Sequence, residues 1–266
     1  MELDPAWYDA IAARRSRRRY SDRPVATAAL EALRAHCAAS RLTPGAHVEL
    51  AEQPGDLYTD VAGRPGDVGR VEGAPWAAAF VAPTGNRIEA GYVGEAFVLA
   101  ATNLGLGTCW VATGFDPDAA ARVFAREPGE QVVAVTPVGH PLEHKQVEER
   151  MMSAAVRSAA RRQVDEIAPG LTRGEGPAGA AWPAWAVSAV EAARLAPSAA
   201  DRQPWRFRLA SGALVLSTSG TASLTASIDL GIAMLHAELG ALHAGVRGFW
   251  EHLPAPDVAR FTPDGD

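Results

Sequence analysis

Ala13-Arg14-Arg15-Ser16-Arg17-Arg18-Arg19-Tyr20 sets five arginines within six residues around a single serine. The stretch follows a short helix whose start is legible. Asp4 is a good N-cap, Pro5 suits the first helical position, and Trp7 and Ile11 fall on one face. Arg14 and Arg15 then sit at the helix C-terminus, where the dipole favours cations. That explains one or two arginines, but not five. So many like charges repel unless an anion spreads among them, and phosphate is the usual one. A solvated basic patch or a nucleic-acid contact is the plainer alternative, because short basic runs are weak motifs.

The rest of the composition narrows the choice. A chain of 266 residues, 48% hydrophobic and 21% charged, has the make-up of an ordinary globular protein, either one large domain or two small ones. Its net charge of -6 makes the arginine cluster a local feature of an acidic protein, which argues against general nucleic-acid binding. Two cysteines, Cys37 and Cys109, form no disulfide framework and suggest a reducing compartment. With Asp4 and Asp9 in place of an apolar signal core, and no apolar run long enough to span a bilayer, the expected location is cytoplasmic.

Past Tyr20, Pro24 breaks the chain, and Ala28–Ala39 reads as a helix with Leu30 and Leu33 inward. His47–Ala51 and Trp76–Val81 read as strands, separated by the Gly/Pro/Asp-rich stretch Gln53–Gly73, which is long for a plain connection and so a candidate lid or hairpin. Gly91–Leu104 carries Val93, Phe97, Ala100 and Leu104 at helical spacing, and its many alanines predict burial nearly all round. Gly105 or Gly107 supplies the left-handed cap, Thr108–Val111 a short strand, Asp118–Ala125 a helix and Gln131–Val138 a strong strand. The Gly-x-Gly here is no dinucleotide fingerprint: it follows a helix, and Trp110 stands in the place of the third glycine. His140-Pro141-Leu142-Glu143-His144 matches an inverted zinc-protease pattern. Pro141 directly after a strand and Gly139 makes it a loop, and no metal site is expected.

In the second half, Ala154–Ile167 carries a further basic cluster, Arg157, Arg161 and Arg162, expected on a helix. Pro169–Ala181 is Gly- and Pro-rich and reads as a linker. The helix Trp185–Leu195 stops at a loop braced by Pro197 and Pro204, after which Trp205–Leu209 and Leu214–Ser217 form a hairpin. Ser227–Ala244 is a second long alanine-rich helix.

Three segments together resemble the nitroreductase family of FMN-dependent oxidoreductases. They are Arg14-Arg15-Ser16 with Arg18 and Tyr20, Leu104-Gly105-Leu106-Gly107-Thr108 through Gly114-Phe115-Asp116, and Pro197-Ser198 through Gln203-Pro204-Trp205. With the intervening strands they cover most of residues 5–245. Family members are typically homodimers with flavin at the subunit interface, one subunit giving the arginine-serine grip and the other the Pro-Ser…Gln-Pro-Trp loop. That loop ordinarily follows the first stretch by about two dozen residues. Here His36–His47 lacks it, and it stands instead near residue 200.

The resemblance therefore implies an α+β fold with a nitroreductase-like sheet and long central helices, two half-domains fused as an internal pseudo-dimer. The halves are residues 1–168 and a reduced 182–266, joined by a linker at 169–181. It implies one composite FMN site per chain and a protein able to remain monomeric. Arg14, Arg15, Ser16 and Arg18 fall on phosphate- and ring-edge-contacting positions, and Arg161 on a second phosphate-contacting position. Thr113 and Gly114 match the turn whose backbone N–H reaches flavin N5, and Pro197, Ser198 and Ala199 match the segment lying against the ring. The family usually has Asn where this chain has Asp201, and an ionised Asp accepts hydrogen bonds but cannot donate them. The implied activity passes a hydride from NAD(P)H through the flavin to a small acceptor such as a quinone or nitroaromatic, with no side-chain nucleophile. The rival reading is a non-enzymatic protein that binds and sequesters FMN.

Overall fold

Trp76–Pro83 is an alanine-rich strand with only Pro83 exposed, so it must be covered on both faces. In the computed structural model, which describes residues 2–52, 55–58, 71–142, 161–171, 181–219 and 223–264, it is the middle of a three-stranded antiparallel sheet. Its neighbours are β1 (His47–Glu52) and β3 (Glu130–Val138), and the strand itself is β2. Odd and even residues of β2 face opposite ways. Ala77, Ala79 and Val81 pack with Leu57, Ala120, Phe124 and Val135, while Phe80 meets Phe97 edge-on, with ring centroids 6.4 Å apart. Small side chains on both faces let helices approach from either side.

The chain divides into two units, Met1–Glu2 with Ala13–Ala159, and Leu3–Ala12 with Ala160–Asp266. The first holds this sheet together with α2 (Thr27–Ser40), α3 (Arg87–Asn103) and α4 (Pro117–Val123). Leu33 of α2 is fully buried, whereas Leu30 is only half-buried. As its alanines predict, α3 is buried over most of its length, but it begins four residues before the expected Gly91. Its end also differs in detail. Leu104 is 38% exposed, since the chain leaves the helix there. Gly105, at φ +74°, donates to Thr102 O while Leu106 N donates to Ala101 O, the double bond pattern that closes a left-handed cap. Residues 107–111 make isolated pairings instead of the expected strand: Gly107 with Gly139, Thr108 with Ser16, and Val111 with Val135. Each finds a different partner, so no continuous ladder forms.

The second unit is built on a four-stranded antiparallel sheet in the order β4 (Trp205–Ala210), β5 (Ala213–Thr218), β7 (Asp257–Pro263), β6 (Gly248–His252). With it go α1 (Trp7–Ala13, most of which counts with this unit), α5 (Val164–Ile167), α6 (Ala184–Arg194) and α7 (Leu224–His243). Asp4 Oδ1 accepts from Ala6 N at 2.9 Å, capping α1 as predicted, and Tyr8 stacks on His243 of α7 with centroids 3.8 Å apart. Ser223 Oγ accepts from Ala226 N and starts α7 earlier than the expected Ser227. The helix expected over Ala154–Ile167 is shorter within the described residues: Arg161 and Arg162 precede α5, because Gln163 is its N-cap. Arg157, most of Gln53–Gly73, most of the expected linker, and Glu143 and His144 lie outside the described residues.

Candidate functional site

Arg14 directly follows α1 and is 8% exposed, set against Glu95 of α3, which is fully buried. Arg14 Nε stands 3.9 Å from Glu95 Oε1, an ion pair too long for a hydrogen bond. Glu95 Oε2 accepts from Trp110 Nε1 at 2.6 Å. Among the described residues, Arg14 Nε is buried and takes no hydrogen-bond partner, and the same holds for Thr108 Oγ1. Unbonded buried polar atoms are costly, so each marks a place where a bound group has something to offer.

From Ser16 to Ser21 the chain runs extended. Arg17 N donates to Thr108 O at 2.8 Å, Glu72 N to Arg18 O at 2.9 Å, and Tyr20 N to Glu72 O at 3.0 Å. Consecutive side chains of an extended run alternate, so Arg17, Arg18 and Arg19 do not all crowd one surface. Arg15 is exposed and its Nη1 donates to the carbonyl of Arg14 at 2.7 Å. Ser16 and Arg18 are half-buried, and Arg19 Nη1 donates to Glu72 Oε2 at 2.7 Å. Gly107 permits this threading: a Cβ there would stand 3.1 Å from Arg17 Cβ and 3.2 Å from Pro141 Cβ. Thr113 is exposed and Gly114 turns at φ +92°. Asp116 then caps α4, accepting on Oδ1 from Asp118 N and Ala119 N, and those N–H groups hold its carboxyl below the usual range.

In the second unit, Pro197–Pro204 is braced from three directions. Arg161 Nη1 donates to Ala196 O at 2.8 Å and to Asp201 Oδ1 at 3.0 Å. Arg162 N donates to Gln203 Oε1 at 3.0 Å, and Gln203 N to Ser198 Oγ at 2.9 Å. Ala199 N reaches both carboxylate oxygens of Asp229 on α7, at 3.0 and 3.2 Å. Ala200, Asp201 and Gln203 hold φ of +51°, +57° and +49°. Three left-handed non-glycine residues in one loop are strained, and such strain gathers where a loop is held for use.

Reading the sequence missed Glu95 and Asp229. Each was signalled by an acid set between small or apolar neighbours within a helix, Gly94-Glu95-Ala96 and Ile228-Asp229-Leu230. Burial pushes the Asp229 carboxyl up to about 7, opposed by the Ala199 N–H and the charge of Arg202. No group of His, Cys, Asp and Glu among the described residues could hold a metal ion, and no helix there is long and apolar enough to cross a membrane.

A family model described as "Putative TM nitroreductase" matches residues 6–241. The chain belongs to the nitroreductase family. Among solved structures, a "putative nitroreductase" from Thermotoga maritima MSB8 matches at 21% identity and a TM-score of 0.61, covering 96% of this chain and 93% of that one. At that identity the likeness shows a shared fold of helices and antiparallel sheet. A nitroreductase with bound FMN from Bacteroides fragilis NCTC 9343 matches at 18% identity and TM-score 0.40, covering 53% of this chain and 91% of that one. A "Putative NADH dehydrogenase/NAD(P)H nitroreductase" from Bacteroides thetaiotaomicron VPI-5482 matches at 18% and 0.41, covering 53% and 89%. No curated protein sequence matches.

Proposed function

We propose that this nitroreductase-family chain binds one FMN and passes a hydride from NAD(P)H to a small acceptor such as a quinone or nitroaromatic. The observation that carries the reading is Arg14, a buried cation whose Nε has no hydrogen-bond partner among the described residues, at the head of the arginine-serine stretch. An anionic, many-acceptor ligand answers that chemistry. Thr108 Oγ1, likewise unbonded and paired through its backbone with Ser16, adds a second group suited to a polar ligand. The donor set fits FMN.

By this reading Arg14, Arg15, Ser16, Arg18 and Arg161 hold the phosphate and ring edge. Gly114, with Thr113 before it, offers a backbone N–H to the ring. Pro197, Ser198 and Ala199 lie against it, in a loop kept in shape by Arg161, Gln203 and Asp229. FMN supplies the hydride acceptance and donation. The side chains bind and orient it, and Arg14 or Arg15 supplies positive charge that favours an electron-rich ring. One chain carries both complementary parts, which supports an internal pseudo-dimer of residues 1–168 and 182–266 joined at 169–181. The free thiols of Cys37 and Cys109 suit a reducing cytoplasm.

Steady-state turnover of the FMN-loaded chain with NADH and NADPH against a panel of small quinones and nitroaromatics tests the activity. Oxidation of either nicotinamide that depends on the acceptor is expected. A chain that holds FMN and oxidises neither contradicts the enzymatic reading and favours sequestration.

A further inference from the structure

We propose that Asp201 is a positioning residue: its carboxylate fixes the guanidinium of Arg161 so that the rest of the group meets the flavin phosphate. This rests on the reading that Arg161 contacts that phosphate.

The geometry is that of a clamp. Both hydrogens of one amino group, Nη1, are directed within the loop, one to Ala196 O at 2.8 Å and one to Asp201 Oδ1 at 3.0 Å. Two acceptors on one nitrogen set the plane of the whole guanidinium, because the group is rigid and flat. The pair is well shielded, with side-chain exposures of 17% for Arg161 and 11% for Asp201, so water competes weakly for either partner. The carboxylate is itself placed by the backbone. Asp201 sits at φ +57° between Ala200 at +51° and Gln203 at +49°, and Gln203 is tied to Ser198 Oγ and to Arg162 N. Successive residues thus dock on the same loop at different points, Arg161 through its side chain on Ala196 O and Asp201 Oδ1, and Arg162 through its backbone N on Gln203 Oε1 and its Nε on Arg202 O. Neither Arg162 contact uses the Asp201 side chain.

A carboxylate beside a phosphate site also repels the phosphate, so removing its charge and removing its hydrogen bond act in opposite senses. The test compares two variants that both lack the charge. Asp201→Asn keeps an acceptor for Arg161, whereas Asp201→Gly has none. Glycine is chosen over alanine because it tolerates φ +57° without strain. FMN and riboflavin affinities are measured by fluorescence quenching or calorimetry for the parent, both variants, and Arg161→Ala.

Asp201→Asn is expected to bind FMN at least about tenfold tighter than Asp201→Gly, corresponding to about 1.4 kcal/mol. Riboflavin, which lacks the phosphate, should bind equally to both. In an Arg161→Ala background the difference between the two variants should vanish. Equal FMN affinity for the Asn and Gly variants overturns the positioning role. So does a fall in riboflavin binding matching that of FMN, since Asp201 would then hold the loop and not the arginine. If Arg161→Ala keeps the parent's preference for FMN over riboflavin, the phosphate role of Arg161 itself fails, and the proposal with it.

Discussion

Asp229 is the residue whose charge state bears most on the loop at 197–204. It is 4% exposed, and both of its oxygens lie within reach of Ala199 N. Burial raises its carboxyl from an ordinary 3.8 to about 7, so between those values the folded chain binds a proton that the unfolded chain does not. By linkage, this residue's contribution to stability is fully present below about pH 4 and is lost as pH rises towards 7, by on the order of 4 kcal/mol at most. Asp229→Asn keeps a hydrogen-bond acceptor and cannot ionise. Its melting temperature relative to the parent should rise from pH 4 to pH 8, and a difference that stays constant with pH contradicts a raised carboxyl. Residues like this are half-legible. An acid between apolar neighbours in a helix announces that something pairs with it, but the partner, Ala199 N thirty residues earlier, comes from tertiary folding alone. The same holds for Glu95, whose approach to Arg14 joins α3 to a stretch some eighty residues upstream.

At the scale of elements, the helices were legible where their ends carry side-chain chemistry. Asp116 before Pro117 starts α4, Gly105 ends α3, and Asp4 precedes α1. The Ala-rich stretch of β2 was legible as a strand, although its burial on both faces was not. The strands β6 and β7 went unforeseen for a physical reason. β6 is an edge strand with Phe249, Glu251 and His252 exposed, so no clean alternation marks it, and β7 presents only Ala259 and Phe261 to the core. The packing of α6 on α7 depends on Gly240. A Cβ there would lie 2.8 Å from Ala189 Cα, against backbone that cannot swing aside, and Ser188 Oγ already donates to Gly240 O at 2.6 Å. Gly240→Ala gains helix propensity but must push the two helices apart, a net destabilisation of about 1–3 kcal/mol. Denaturant unfolding measures it, and an unchanged or raised midpoint would mean the helices separate without cost.

For the whole molecule, the arginine-serine stretch and the Pro-Ser…Gln-Pro-Trp loop were each legible as motifs, and their unusual distance apart in one chain was legible too. That they together form one composite FMN site is what the family resemblance implies, and neither motif states it by itself. The structure adds what the motifs omit: an unbonded Nε on a buried Arg14, and an Arg161 already held by Asp201 and Ala196. If each chain carries both complementary parts, it needs no second chain to hold its cofactor. Size-exclusion chromatography with light scattering and flavin absorbance, run on the chain loaded with excess FMN, reads mass and stoichiometry in one trace. The account predicts one FMN per chain, retained by a species of monomer mass at micromolar concentration. A colourless folded chain, two flavins per chain, or flavin found only on a dimer and lost when that dimer dissociates would contradict it.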